Sequence, residues 1–86
     1  MIEVTLKDAI LASIYSEGLN KIPRMHENIT ASKFKITQDE FINNILELKE
    51  DNKINLNMLA GKVPEVDSMR ITQTGLSYLK EKYGWI

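Results

Sequence analysis

The chain has 86 residues with 11 basic and 12 acidic side chains, so its formal net charge is −1. This length predicts one domain over residues 1–86, and the charge lacks the basic excess typical of nucleic-acid-binding domains. The chain contains no cysteine, which excludes disulfides and thiolate metal sites and fits a cytoplasmic protein. No apolar run is as long as a membrane span, and the first residues do not resemble a signal peptide.

The first predicted helix begins after Thr5 and ends near Gly18. Thr5 and Asp8, three residues apart, have the spacing of a capping box. Leu6, Ile10 and Ile14 follow at the spacing of one helical face. This pattern predicts a helix that packs deeply into the core.

A second helix is predicted over "PRMHENIT", residues 23–30, with proline at its first position. Ile22, Met25 and Ile29 are its expected apolar contacts. The segment "ASKFK" that follows is predicted to be a loop.

The third helix has the clearest signature, because Thr37 and Glu40 form a capping box ahead of a strongly periodic segment. Its apolar stripe comprises Phe41, Ile42, Ile45, Leu46 and Leu48. The pattern ends near Asn52 and places Lys49 toward the buried side.

A hairpin and a last helix are predicted after the third helix. "KINLNMLA" alternates apolar and polar residues as a half-buried strand does, "GKVPE" has turn residues, and "VDSMRI" is the returning strand. Thr72 then caps a helix with Leu76, Leu79 and Tyr83 on its inner face. An isolated hairpin is not stable, so it must pack on the helices. The predicted fold is therefore mainly α within the α+β class: a winged helix-turn-helix with three helices, a β-hairpin wing and a C-terminal helix.

Two segments, "ITQDEFINNILELKEDNKI" and "RITQTGLSYLKE", carry a resemblance to a known family. In this order they resemble the YjcQ-like family of small winged-helix proteins from Gram-positive bacteria and their phages, over roughly residues 5–83. The resemblance implies a winged-helix fold and a phage or prophage context. It implies no catalytic residues.

The leading hypothesis for function is a DNA-binding or transcription-regulatory protein that contacts double-stranded DNA. Asn43 and Asn44 on the third helix are candidates for reading adenine edges. The candidate phosphate contacts are the basic residues around the second helix and on the hairpin, namely Lys21, Arg24, Lys33, Lys35, Lys62 and Arg70.

The charge of the third helix supports an alternative. Its outward face carries five carboxylates, which would repel phosphate: Asp39, Glu40, Glu47, Glu50 and Asp51. An ordinary solvated face explains them, and so does a winged helix that binds a protein partner through this acidic surface.

The C-terminal aromatic residues are a candidate contact in a homodimer. Tyr78 is predicted to lie opposite the core, and Trp85 and Ile86 either cap the core or contribute to an interface. The single histidine, His26, has no neighbouring ligand pattern, and no motif for a nucleophile or a phosphate-binding loop is present. We therefore expect neither an enzyme nor a bound cofactor.

Overall fold

The computed structural model describes residues 3–84, which form an α+β fold of four α-helices and one two-stranded antiparallel hairpin. A short 3₁₀ turn lies between the second and third helices. In chain order the elements are α1 (Leu6–Gly18), α2 (Met25–Asn28), the 3₁₀ turn (Ser32–Phe34), α3 (Gln38–Glu50), β1 (Ile54–Leu59), β2 (Val63–Ile71) and α4 (Gln73–Tyr83).

Threonine caps fix the starts of the three long helices, as predicted. The side chains of Thr5, Thr37 and Thr72 each accept a hydrogen bond from the backbone N–H three residues on. Glu40 completes the box at α3 by accepting from the Thr37 N–H at 3.3 Å. Asp8 gives no such return bond in α1, so only half of the capping box predicted there forms.

The second helix is shorter than predicted. Pro23 lies outside it, because Arg24 is the N-cap and has non-helical backbone angles, φ −122° and ψ 67°. The N–H of Arg24 donates to the Glu17 carboxylate at 3.0 Å. The segment predicted as a loop contains the 3₁₀ turn, which ends at Lys35 in the left-handed region.

The expected apolar contacts of the second helix are only partly confirmed. Met25 and Ile29 are buried, whereas Ile22 is 73 % exposed. Ile22 lies ahead of α2 in the connection from α1, so it does not share the buried face of that helix.

The hairpin differs from its prediction at the turn. The connection spans residues 60–62, where Ala60 and Gly61 take positive φ angles of 52° and 70°. Val63 and Pro64, predicted as turn residues, belong to β2 and pair with Leu59 and Met58.

A large bulge interrupts the pairing of β2. Asn55 pairs with Arg70 and Asn57 with Glu65, so a single residue on β1 faces four residues on β2, which thus carries three extra residues. The side chain of Ser68 fills part of this gap, because its Oγ accepts from the Asn57 N–H at 2.8 Å and donates to the Glu65 carbonyl at 2.6 Å.

The core lies where α1 meets β2, α3 and α4. α1 is central, as its wide apolar stripe predicts. The core consists of Ile10, Leu11, Ile14, Met25, Ile29, Ala31, Phe41, Ile45, Leu48, Ile54, Leu56, Met69 and Leu79. No helix within residues 3–84 is long and apolar enough to cross a membrane.

Gly75 allows α4 to approach the segment between α3 and β1. A Cβ atom at this position would lie 2.3 Å from the Lys53 carbonyl oxygen and 2.8 Å from Ile71 Cγ1. The same carbonyl accepts from the Thr72 N–H at 3.0 Å. The glycine is therefore required by contact with the backbone.

Candidate nucleic-acid interface

The outward face of α3 is less negative than its five carboxylates suggest, because two of them have cationic partners. Glu40 is used in the helix cap, Glu47 lies 3.3 Å from Lys7 Nζ, and Asp51 lies 3.9 Å from Lys53 Nζ. Within residues 3–84, Asp39 and Glu50 make no ion pair. Three carboxylates on this face, Asp39, Glu40 and Glu50, thus have no cationic partner among the described residues, and Glu40 is engaged in the helix cap.

The two predicted base-reading amides have different environments. Asn43 is exposed, and its side chain makes no hydrogen bond to another described residue. Asn44 is half-buried, and its Nδ2 donates to the Glu40 carbonyl at 2.8 Å within the same helix. Of these two amides, only Asn43 is therefore free of an internal hydrogen bond.

A polar cleft of about 450 Å³ lies between the end of α3 and β1. Lys49 lines it and is exposed, so the prediction that Lys49 lies toward the buried side is wrong. Asn55 and Asn57 point outward, because the alternating positions Ile54 and Leu56 are buried. With Asn52, which also lines the cleft, they present a row of amide donors and acceptors.

The two predicted phosphate contacts on the hairpin differ in whether the side chain already has hydrogen-bond partners. Lys62 is exposed in the turn. The guanidinium of Arg70 lies along its own strand, where Nη1 donates to the carbonyls of Asp67 at 2.9 Å and Met69 at 2.6 Å. Arg70 must release these carbonyls before it can contact a ligand.

The predicted cations near α2 surround the end of α1. Arg24 pairs with Glu27 at 3.4 Å, and the charge of Lys33 helps to lower the pKa of Glu17. Lys21 and Lys35 are exposed and have no side-chain partner among residues 3–84. The candidate cations thus belong to two parts of the fold, one at α2 and one at the hairpin.

Glu17 holds the connection between α1 and α2, a role not predicted from the sequence. Its carboxylate accepts from the Arg24 N–H at 3.0 Å and from the amide groups of Asn20 and Asn28, both at 2.8 Å. These bonds, the one from the Arg24 N–H foremost, lower the pKa of Glu17. This connection is consequently an ordered segment.

Asp67 connects the β2 bulge to α2. Its Oδ1 accepts from the His26 N–H at 3.0 Å and lies 2.7 Å from His26 Nδ1. The hydrogen bond from the His26 side chain is the main reason that the pKa of Asp67 lies below its ordinary value. Since Arg24 supplies no side-chain cap, Asp67 caps α2 from another element.

Asp8 connects α1 to α4 and is only 2 % exposed. The Tyr78 hydroxyl donates to its two oxygens at 2.9 and 3.0 Å, Lys82 Nζ donates at 3.0 Å, and the Tyr83 hydroxyl donates as well. Burial raises the pKa of Asp8, but the hydrogen bonds from Tyr83, Lys82 and Tyr78 together outweigh it and hold the pKa below its ordinary value.

The prediction that Tyr78 faces away from the core is therefore wrong. Its ring is partly buried, and Lys53 Nζ lies 3.7 Å from the ring centroid. The other two residues predicted to form a dimer contact, Trp85 and Ile86, lie outside the described residues.

Within residues 3–84, no three or more His, Cys, Asp or Glu side chains are close enough together to hold a metal ion.

No protein-family model, curated protein or solved structure matches the chain. The resemblance to the YjcQ-like family therefore stays a prediction.

Proposed function

We propose that this protein is a winged-helix protein that binds double-stranded DNA in transcription regulation, in the phage or prophage setting that the resemblance implies. Three features support the winged-helix interpretation. α2 and α3 are joined by a short 3₁₀ turn, the hairpin follows α3 directly, and β1 packs against α3. The fold alone is a weak argument for function, so the proposal depends on the surface chemistry.

The observation that carries the proposal is the polar cleft between α3 and β1. A carboxamide can donate and accept at once, which suits the N6 and N7 edge of adenine in the major groove. Asn55 and Asn57 present such groups from one strand face, and Lys49 adds a positive charge beside them. Asn43 is a further exposed amide on α3.

Phosphate contacts would come from the free cations, because phosphate contacts set the position from which bases are read. Lys49 and Lys62 belong to α3 and the hairpin, and Lys21 and Lys35 flank α2. Three carboxylates on α3 without a cationic partner in residues 3–84, Asp39, Glu40 and Glu50, oppose these contacts. We therefore expect weak non-specific affinity.

Fluorescence anisotropy with a random-sequence duplex at low salt tests the proposal. About four phosphate contacts, one for each of these lysines, predict that log K falls against log salt with a slope of roughly −3.6. Absence of binding at micromolar protein, or binding that does not depend on salt, would rule the proposal out.

A pair of lysine variants locates the binding surface. Lys49→Gln should weaken duplex binding and make the salt slope shallower by about one unit. Lys80→Gln is the matched control, because Lys80 is an exposed lysine on α4. Equal effects of the two substitutions would show that binding follows net charge and not the cleft.

Asp39 and Glu50 favour a second candidate, in which the winged helix is a protein-interaction module. Carboxylates without internal partners are free to pair with a basic protein surface. If the duplex titration is negative, a partner-binding role for α3 becomes the leading explanation. Asp39→Asn combined with Glu50→Gln should then abolish capture of that partner and leave the fold unchanged.

A further inference from the structure

The connection between α1 and α2 exposes two large apolar side chains on an ordered segment. Leu19 is 69 % exposed and Ile22 is 73 % exposed, more than any other large hydrophobic residue within residues 3–84. Glu17 holds both ends of this connection through Asn20 and the Arg24 N–H. The exposure of Leu19 and Ile22 is therefore part of a defined conformation.

The same connection carries positive charge. Lys21 precedes Ile22, and Arg24 follows two residues later, both exposed. We call residues 19–24 the basic loop. It combines two protruding apolar side chains with two cations.

α3 carries a surface of opposite charge. Asp39, Ile42, Leu46 and Glu50 follow at intervals of three, four and four residues, which places them on one stripe of the helix. Ile42 and Leu46 are only half-buried, although their spacing predicts that they face the core. We call these four residues the α3 strip.

The ends of the α3 strip, Asp39 and Glu50, make no ion pair within residues 3–84. The strip therefore offers a half-buried apolar centre between two uncompensated negative charges. The basic loop offers the matching features, with apolar side chains beside Lys21, which is unpaired among the described residues, and beside Arg24, which must release Glu27 to pair across the contact.

We propose that the chain self-associates by docking the basic loop of one copy on the α3 strip of another. A second copy fits both surfaces at once. An anionic lipid surface would match the loop but leave the strip uncovered, and a DNA backbone would match the cations but give Leu19 and Ile22 no apolar partner. The contact does not depend on DNA binding.

Sedimentation equilibrium of the full chain at low salt, without nucleic acid, tests the contact. The wild type should associate reversibly, and added salt should weaken the association. Ile22→Asp should raise the dissociation constant at least about tenfold, because it removes a protruding apolar contact and adds a charge of the wrong sign. The variant should stay folded, since Ile22 lies outside the core.

Val63→Asp is the matched control. Val63 is an exposed apolar side chain, 57 % accessible, next to the hairpin turn. Its substitution should leave association unchanged. Association that survives Ile22→Asp, or that Val63→Asp weakens equally, overturns the proposal.

A charge exchange between the two surfaces gives an independent test. Lys21→Glu and Glu50→Lys should each weaken association, and the two substitutions in one chain should restore it because the charges again oppose each other. A double variant no better than either single variant overturns the proposal. A wild type that is monomeric at millimolar concentration also overturns the proposal. This holds even if its basic loop binds anionic phospholipid vesicles.

Discussion

Two carboxylates connect distant elements of this fold, but in very different surroundings. Asp8 joins α1 to α4 from a buried position with Tyr78, Lys82 and Tyr83 around it, an assembly we call the α4 seam. Asp67 joins β2 to α2 through His26 on the surface, which we call the hairpin seam. Both carboxylates have pKa values below the ordinary one.

The two seams differ in whether water can replace the carboxylate as a hydrogen-bond acceptor. If Asp8 is lost, the hydroxyls of the partly buried Tyr78 and Tyr83 lose an acceptor at a buried position, and unsatisfied buried groups are costly. Lys82 is exposed and can turn to solvent. If Asp67 is lost, water can take its place at the exposed His26. The α4 seam should therefore control global stability, and the hairpin seam should control local order in α2.

The largest effect should come from a substitution at Gly75, where α4 packs closely against the backbone of Lys53. Gly75→Ala puts a methyl group 2.3 Å from the Lys53 carbonyl oxygen, so the backbone must move. We expect a loss of about 3 kcal/mol in the free energy of unfolding, measured by urea denaturation.

Gly18→Ala is the control for this substitution. Gly18 is the last residue of α1, and an added Cβ would meet nothing within 4 Å. Alanine should be neutral or slightly stabilising there. A Gly75→Ala protein as stable as the wild type would show that α4 does not need this close approach.

The second-largest effect should come from Asp8→Asn. It should lower the free energy of unfolding by about 2 kcal/mol near neutral pH, because a buried charged acceptor is replaced by a neutral group. The pKa of Asp8 is lower in the folded state than its ordinary value of 3.8, so its stabilising contribution is complete above that value. The contribution is lost as pH falls below 3.8 through the folded pKa.

Urea denaturation of wild type and Asp8→Asn at pH 7 and pH 3 measures this dependence. Since asparagine does not titrate, the difference in stability between the two proteins should narrow at the lower pH. An equal difference at both pH values would mean that the Asp8 charge contributes nothing to the α4 seam.

The smallest global effect should come from Asp67→Asn. Solvent competes for the exposed hairpin seam, so the urea midpoint should move little. The His26 amide loses its carboxylate acceptor, and hydrogen exchange of the α2 amides should become faster. Unchanged exchange at His26, or a loss of stability comparable to that of Asp8→Asn, would contradict the contrast between the two seams.

Local signals in the sequence were sufficient for most of the fold. The threonine caps of α1, α3 and α4 act over three residues, and the alternation of Ile54 to Met58 shows directly as a strand. α2 could not be bounded in this way. Its limits depend on Glu17 and Asp67, which are seven and 41 residues from their partners.

The candidate sites are harder to predict from the sequence, because they too depend on contacts between residues far apart in the chain. Asp8 has the spacing of a capping residue, and only its partners 70 to 75 residues away reveal its role in the α4 seam. Lys49 was misplaced because a helical wheel ignores the solvent access that the end of a helix provides. Asn55 and Asn57 were predicted to point outward, but the cleft they line depends on how β1 follows α3.

The α4 seam also has a consequence for the order of folding. It joins positions 8 and 83, so closing it restricts nearly the whole chain, and contacts of such high sequence separation form late because loop-closure entropy opposes them. The caps and the α3–β1 packing can form early from neighbouring residues. Substitutions at Asp8 should therefore act mainly on the unfolding rate and leave the folding rate nearly unchanged.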